Sequence, residues 1–256
     1  MRFLAAAHTD MGITKKVNQD SFCLKIAKTP NANIVFVILC DGMGGLKNGE
    51  LASSWVVNAF SAWFESELPA ELKRNATFEQ IKNRWNIIAN EQNQKIGNYG
   101  RSNGFKLGTT LTAVLIIDNK FLIIHVGDTR IYKINDTITQ LTKDQTVVAM
   151  EVEKHRLTQE QAKTDARKNE LLQCVGASPK VIPDYDTGTL SENDVFLLCS
   201  DGFRHEVCDE ELFGILASQL LTSENVMKKC LVDLINLNKD RKEQDNITAL
   251  LIKAIK

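Results

Sequence analysis

Short apolar runs in this chain repeatedly meet an aspartate. The run 34–40 ends at Asp41, the run 121–127 at Asp128 and the run 195–200 at Asp201. Asp20 precedes an apolar stretch at 22–26, and Asp245 precedes another at 247–252. Runs this short, rich in Val, Ile, Leu and Phe and bounded by Gly, Asp and Asn, predict buried strands. A first strand is expected over 2–7. The stretches 22–26 and 34–40 read as a hairpin turning at Pro30-Asn31. Further strands are expected over 109–117, 120–126 and 130–134, with turns at Asp118-Asn119 and Gly127-Asp128, and then over 194–199 and 247–252.

Between the strands the period changes. Leu51, Ala52, Trp55, Val56, Ala59, Phe60, Trp63 and Phe64 recur at helical spacing and make one wide apolar stripe. Pro69 closes that pattern. Phe78, Ile81, Trp85, Ile88, Ala89 and Ile96 mark a second helix, its tryptophan read as a core filler. Residues 143–181 are more charged, less apolar and helical in propensity, and Thr158-x-x-Gln161 fits a capping box. Helices are also expected over 210–221, with Asp209 as N-cap, and over 224–237. Strands grouped apart from helices do not make a βαβ alternation. The expectation is an α+β fold of antiparallel sheets layered with helices, in one domain over 1–256.

Composition narrows the function. With 43% hydrophobic residues the chain can bury a sizeable core, and a net charge of −1 gives no electrostatic reason to bind nucleic acid or an anionic membrane. No apolar run reaches the ~18 residues of a membrane span, and 3–7 is shorter than the roughly 7–15 residues of a signal-peptide core. A cytoplasmic protein is expected. The six cysteines show no Cys-x-x-Cys, so buried reduced thiols are expected. The four histidines (8, 125, 155 and 205) include no i, i+2 or i, i+4 pair, which leaves zinc poorly supported.

The aspartates support different chemistry. Carboxylates gathered without partners repel, so a cluster needs a cation. Aspartate and backbone carbonyl oxygens are hard donors suited to Mg²⁺ or Mn²⁺; calcium fits by ligand type, but no EF-hand loop is present. Several carboxylates can hold two ions about 3.5–4 Å apart and acidify a bridging water towards pKa ~7. Gly42, directly after Asp41, lets the backbone approach a metal. The glycines of Asp41-Gly42-Met43-Gly44-Gly45 do not fit a dinucleotide or Walker A loop.

The ordered motifs resemble those of the metal-dependent protein phosphatases of type 2C (the PPM family), in the compact bacterial form. They are Thr9-Asp10-Met11-Gly12 with Asn18-Gln19-Asp20-Ser21, Cys40-Asp41-Gly42-Met43-Gly44-Gly45, Gly108-Thr109-Thr110-Leu111, Val126-Gly127-Asp128-Thr129-Arg130, Leu141-Thr142-Lys143-Asp144, Cys199-Ser200-Asp201-Gly202 and Asp245-Asn246-Ile247-Thr248. They span essentially the whole chain. The resemblance implies a four-layer αββα sandwich and a serine/threonine protein phosphatase in which a metal-bridging hydroxide attacks phosphorus without a phospho-enzyme. It implies metal ligation by Asp41 (bridging), Asp201, Asp245 and the Gly42 carbonyl. Asp20 would hold metal-bound water, and Asp128 with Asp201 a third ion. Residues 143–181 would be a flap beside the site that affects substrate choice. The implied partners are phosphorylated proteins and a cognate serine/threonine kinase; the absence of a tail or membrane helix in the sequence separately leads to the expectation of a stand-alone monomer.

This chain departs from the pattern in places. The family's phosphate-gripping arginine falls on Lys15, which keeps the charge but loses the bidentate fork; Lys16 is the alternative if the loop shifts. Gln19 stands where the family has glutamate. The flap lacks a His-Pro near Asp165-Ala166. A pseudophosphatase that only binds, or a phosphoesterase for small molecules, are the competing readings. His125 reads as structural and His205 as a minor site candidate.

Overall fold

Both faces of one strand are buried, and that sets the layering. In the computed structural model, which describes residues 1–30, 32–43 and 48–256, β3 (Asn33–Asp41) turns Ile34, Phe36, Ile38 and Cys40 to one side and Val35, Val37 and Leu39 to the other. Side chains alternate along a strand, so apolar residues at every position need a cover on both faces. One cover is helical: α1 (Gly49–Ser66) and α3 (Phe78–Ser102) bring Val56, Phe60, Trp63 and Trp85 onto Phe36 and Ile38. The other is a second sheet, whose Ile131, Phe196, Leu198, Leu250 and Ile252 pack against Val35, Val37 and Leu39.

The first sheet has the order β2-β3-β4-β5-β8 and the second β1-β10-β9-β6-β7. The ranges are β1 (Arg2–Asp10), β2 (Asp20–Lys28), β4 (Leu111–Ile117), β5 (Lys120–Val126), β6 (Arg130–Ile134), β7 (Ile138–Gln140), β8 (Asp184–Thr189), β9 (Val195–Cys199) and β10 (Ile247–Ile255). Each neighbouring pair is antiparallel. On the outer face of the second sheet, α7 (Asp209–Leu216) and α8 (Glu224–Asp240) place Leu212, Leu216, Met227, Leu231 and Leu234 against Leu197, Ala249 and Leu251. The result is the expected αββα sandwich.

Short helices complete the chain: α2 (Leu68–Lys73), α4 (Val147–Glu153), α5 (Gln159–Thr164) and α6 (Asp201–Arg204). The capping box at Thr158 and Gln161 forms as expected on α5. Three expectations change. Pro69 does not merely end a helix; it sits in the first turn of α2, where its missing N–H costs nothing. Asp209 lies inside α7, not at its cap. Cys208 takes that place because Glu211 reaches back to its N–H, and the helix stops at Leu216, short of 221. β4 starts at Leu111, and Thr109 instead bridges Gly42 and Val175. Asn31 of the first turn, and Gly44 and Gly45 of the glycine motif, lie outside the described residues.

Candidate active site

Antiparallel order delivers the aspartates to one edge. β2 begins where β3 ends, so Asp20 and Asp41 are direct cross-strand partners. β5 ends beside the start of β4, which places Gly127-Asp128 at the same edge. In the other sheet β10 begins beside the ends of β1 and β9, and Asp245 and Asp201 flank those ends.

Neighbouring groups fix Asp20, Asp245 and the loops beside them. Asp20 Oδ2 accepts from Thr248 Oγ1 at 2.6 Å, and Thr248 in turn contacts Thr9 Oγ1 at 2.7 Å. Asn246 stitches the entry loop in place: its Oδ1 accepts from Gln19 N–H, and its Nδ2 donates to Met11 and Val17 carbonyls. Gly42 packs so closely under α1 that a Cβ would lie 2.4 Å from the Gly49 carbonyl oxygen. Only glycine lets the backbone come that close. Lys15 Nζ lies 2.7 Å from Asp245 Oδ1, while Lys16 is exposed. Gln19 turns its amide to Glu50 on α1 at 3.3 Å.

The electrostatics are those of an under-compensated acidic cluster. Burial pushes Asp20 up to about 7, helped by Asp201 and Asp245 and resisted by the Thr248 hydrogen bond. Burial likewise raises Asp41 well above the carboxylate range, and Asp20, Asp201, Asp128 and Asp245 all add to the effect. Asp128 is lifted to about 7 by burial and Asp201, against the pull of Arg204. Oδ1 of Asp20 and Oδ1 of Asp201 are buried with no hydrogen-bond partner among the described residues. The carboxylates share a field without closing a ready-made cage: no three His, Cys, Asp or Glu among the described residues converge as single-ion ligands. Mg²⁺-type ions keep several waters and take one or two carboxylates each, so orphaned, hard oxygens spread over one edge fit such a pair.

The family model described as protein phosphatase 2C matches residues 11–251. The chain belongs to the protein phosphatase 2C family. It is 34% identical to serine/threonine phosphatase stp of Listeria welshimeri, over 97% of this chain and 95% of that one. Its fold matches the crystal structure of serine/threonine phosphatase Stp1 from Staphylococcus aureus with a TM-score of 0.87 at 29% identity, covering 100% and 96% of the two chains. It also matches the catalytic domain of the phosphatase PstP in complex with 2 manganese ions, with a TM-score of 0.76 at 27% identity over 99% of each chain.

This phosphatase brings to the site edge two residues that the motifs did not single out, Arg204 and Glu243, beside the motif residues Arg130 and Asp144. Arg204 on α6 donates to the Asp128 carbonyl at 3.2 Å and lies 3.4 Å from Asp144 Oδ2. Arg130 grips the same Asp144 with two donors, at 2.8 and 2.7 Å. That pairing outweighs burial and holds the Asp144 carboxyl below its ordinary range. Glu243, two residues before Asp245, accepts from the N–H groups of Gln244 and Asp245 and from His205. Burial lowers the proton affinity of His205, but Glu243 and Asp201 outweigh it and the net shift is upward. The sequence signal for Arg204 and Glu243 was weak: Glu243 sits two residues before a motif, and although Asp144 closes another, only the fold joins Arg204 to both Asp128 and Asp144.

Proposed function

We propose that the aspartate edge of the two sheets is the catalytic centre of a metal-dependent serine/threonine protein phosphatase, spanning residues 1–256 as one catalytic domain. The observation that carries this reading is the pair of buried, partnerless carboxylate oxygens, Asp20 Oδ1 and Asp201 Oδ1, among carboxylates that burial and mutual repulsion hold above their ordinary range. Asp41, Asp201, Asp245 and the Gly42 carbonyl would hold two divalent ions, Mg²⁺ or Mn²⁺, with Asp128 available to a third. When bound, the ions supply a water acidified towards neutral pH and positive charge for the phosphoryl oxygens.

The chain's own groups do the rest. Asp41 faces every other carboxylate of the cluster, which suits it to be shared between ions. Asp20 has one oxygen pinned by Thr248 and one free, so it can orient a water without turning. Lys15, held against Asp245, supplies a cation at the mouth of the cluster for a substrate phosphate. A lysine there acts as a point charge and not as a two-pronged clamp. Phosphoserine and phosphothreonine proteins are the substrates, and a serine/threonine kinase, the class of enzyme that makes those monoesters, must supply them. Action in the cytoplasm, in signalling by reversible protein phosphorylation, belongs to the same reading, and no helix among the described residues is long and apolar enough to cross a membrane.

The test is hydrolysis of a phosphothreonine peptide with Mn²⁺, with Mg²⁺ and with chelator, for the wild type and for Asp201→Asn. The expected result is metal-dependent turnover that the variant loses while keeping its circular dichroism spectrum. Full turnover by a folded Asp201→Asn would overturn the assignment.

A further inference from the structure

Four buried side chains, Thr110, Thr112, His125 and Thr129, are each at most 2% exposed and have no part in the site described so far. They form one hydrogen-bonded line. The N–H of Asp41 donates to Thr110 Oγ1 at 2.8 Å. Thr129 Oγ1 lies 3.3 Å from Thr110 Oγ1 and 2.5 Å from Thr112 Oγ1. Thr112 Oγ1 is 2.8 Å from Nδ1 of His125, and Nε2 of His125 is 3.0 Å from the carbonyl of Lys143, the first residue of the 143–181 segment.

Chemistry sets the direction of this line. A carbonyl only accepts, so His125 carries its proton on Nε2 and donates it to Lys143. Burial keeps the ring neutral by lowering its proton affinity. Nδ1 is therefore bare and accepts a hydrogen bond from the Thr112 hydroxyl. Thr129 lies between two hydroxyls and shares its single proton between Thr112 and Thr110.

Asp41 needs such an anchor. Its carboxylate faces Asp20, Asp201, Asp128 and Asp245, and like charges push it away from that position. Its backbone resists through Thr110 Oγ1 on one side and, on the other, through its carbonyl, which accepts from Thr110 N–H and Thr109 Oγ1 at 2.9 Å each. At the far end, residues 143–145 are stitched to 125–127. Gln145 N–H donates to the Gly127 carbonyl at 2.8 Å, and Gly127 N–H returns a bond to Gln145 Oε1 at 2.9 Å.

We propose that Thr112 and His125 are positioning residues, which hold the Asp41 backbone beneath the carboxylate cluster and tie its placement to the base of the flap. The proposal rests on the reading of Asp41 as a metal ligand. It divides His125 into two jobs, and two conservative replacements separate them. In His125→Asn the side-chain oxygen can stand at Nδ1 and keep Thr112, while the Lys143 tie is lost. In His125→Gln the amide nitrogen can stand at Nε2 and keep Lys143, while Thr112 loses its acceptor.

The experiment is calorimetric titration of the full chain with Mn²⁺ after chelation. It is combined with melting of the metal-free proteins and steady-state kinetics on a phosphothreonine peptide. Groups that orient metal ligands typically set affinity by about 10–100-fold. Thr112→Val and His125→Gln are expected to weaken Mn²⁺ binding about tenfold, and Thr112→Ser to bind like the wild type. His125→Asn should keep its Mn²⁺ affinity and instead raise KM for the peptide about threefold, its kcat unchanged. Should the valine variant fail to fold, the contrast between the glutamine and asparagine variants decides. Equal effects of those two, an unchanged affinity in His125→Gln, or a loss in Thr112→Ser equal to that in Thr112→Val would overturn the proposal. A wild type that binds no Mn²⁺ would overturn the metal reading itself, and this one with it.

Discussion

Asp20 and Asp41 stand directly opposite each other on β2 and β3. Like charges in that relation destabilise a sheet, and here Asp20 is buried and Asp41 half-buried, with further carboxylates acting on both. That arrangement costs the metal-free fold stability, which ions at the proposed metal site would offset.

That trade gives a pH dependence in the chelated protein. Asp20 and Asp128 are both raised from 3.8 to about 7 by burial first and by neighbouring carboxylates second. Between those values the folded chain holds protons that the unfolded chain has released, so stability falls as pH rises from about 4 to about 7. Thermal melting in chelator from pH 4.5 to 8 should show a steadily falling midpoint, and Mn²⁺ at pH 8 should restore it. In Asp20→Asn the fall should be shallower. A midpoint that rises over this range would contradict the electrostatic account.

Lys15 is a single point charge beside Asp245. Arginine in its place brings a planar fork that can take two phosphate oxygens at once. Lys15→Arg should lower KM for a small phosphoester by roughly two- to fivefold, on the scale of one added charge-assisted hydrogen bond partly offset by side-chain ordering. An unchanged or higher KM would remove Lys15 from the phosphate contact.

Asp144 is held by two guanidinium groups, with Arg130 at 2.7 Å and Arg204 at 3.4 Å. Its removal leaves both cations largely buried and short of a partner. Asp144→Asn should cost about 2–4 kcal/mol, near the lower part of the range for a broken buried pair. For a chain of this length that is a fall of roughly 5–10 °C in Tm. Denaturant titration would check it, and a change below about 0.5 kcal/mol would show that the network is screened by solvent.

Gly12 has φ +79°, and a Cβ there would lie 2.2 Å from the Asp245 carbonyl oxygen. Any side chain must push the Asp245 backbone away. Gly12→Ala should lower kcat/KM at least tenfold, since about 1 Å of misplacement can cost 10²-fold. The metal-free melting point should fall by far less than in a core-cavity variant such as Phe36→Ala, which is expected to lose about 3–5 kcal/mol. Wild-type kinetics in Gly12→Ala would show that the loop yields without moving Asp245.

The strands buried on both faces were legible because they cannot be anything but apolar: β3, β5, β9 and β10 are near-continuous runs. β8 was not, because Asp-Tyr-Asp-Thr-Gly-Thr is a mostly exposed edge strand with no run to detect. β7 is three residues long, and α2 hid behind a proline that looked like a stop. At the candidate site the aspartates announced themselves as polar ends of apolar runs. Arg204, Glu243 and the Thr110–His125 line did not, because nothing local distinguishes a threonine in a strand from one that holds up a neighbour's backbone. Those residues become visible only when chain segments far apart in sequence are brought together.

The place of β10, between β1 and β9, has a consequence for how the protein is made. Synthesis runs from the amino end, so β1 appears before β2 to β10. Its neighbour in the sheet is the last strand, with Arg2 opposite Ile255. The β2-β3-β4-β5-β8 sheet has all its strands once Thr189 has left the ribosome. β1 must wait for β10, whose lead-in also delivers Asp245. A chain cut short of β10 would leave β1 without its partner, the inner face of β3 half covered and Asp245 missing, so the aspartate edge is assembled only when β10 joins the sheet.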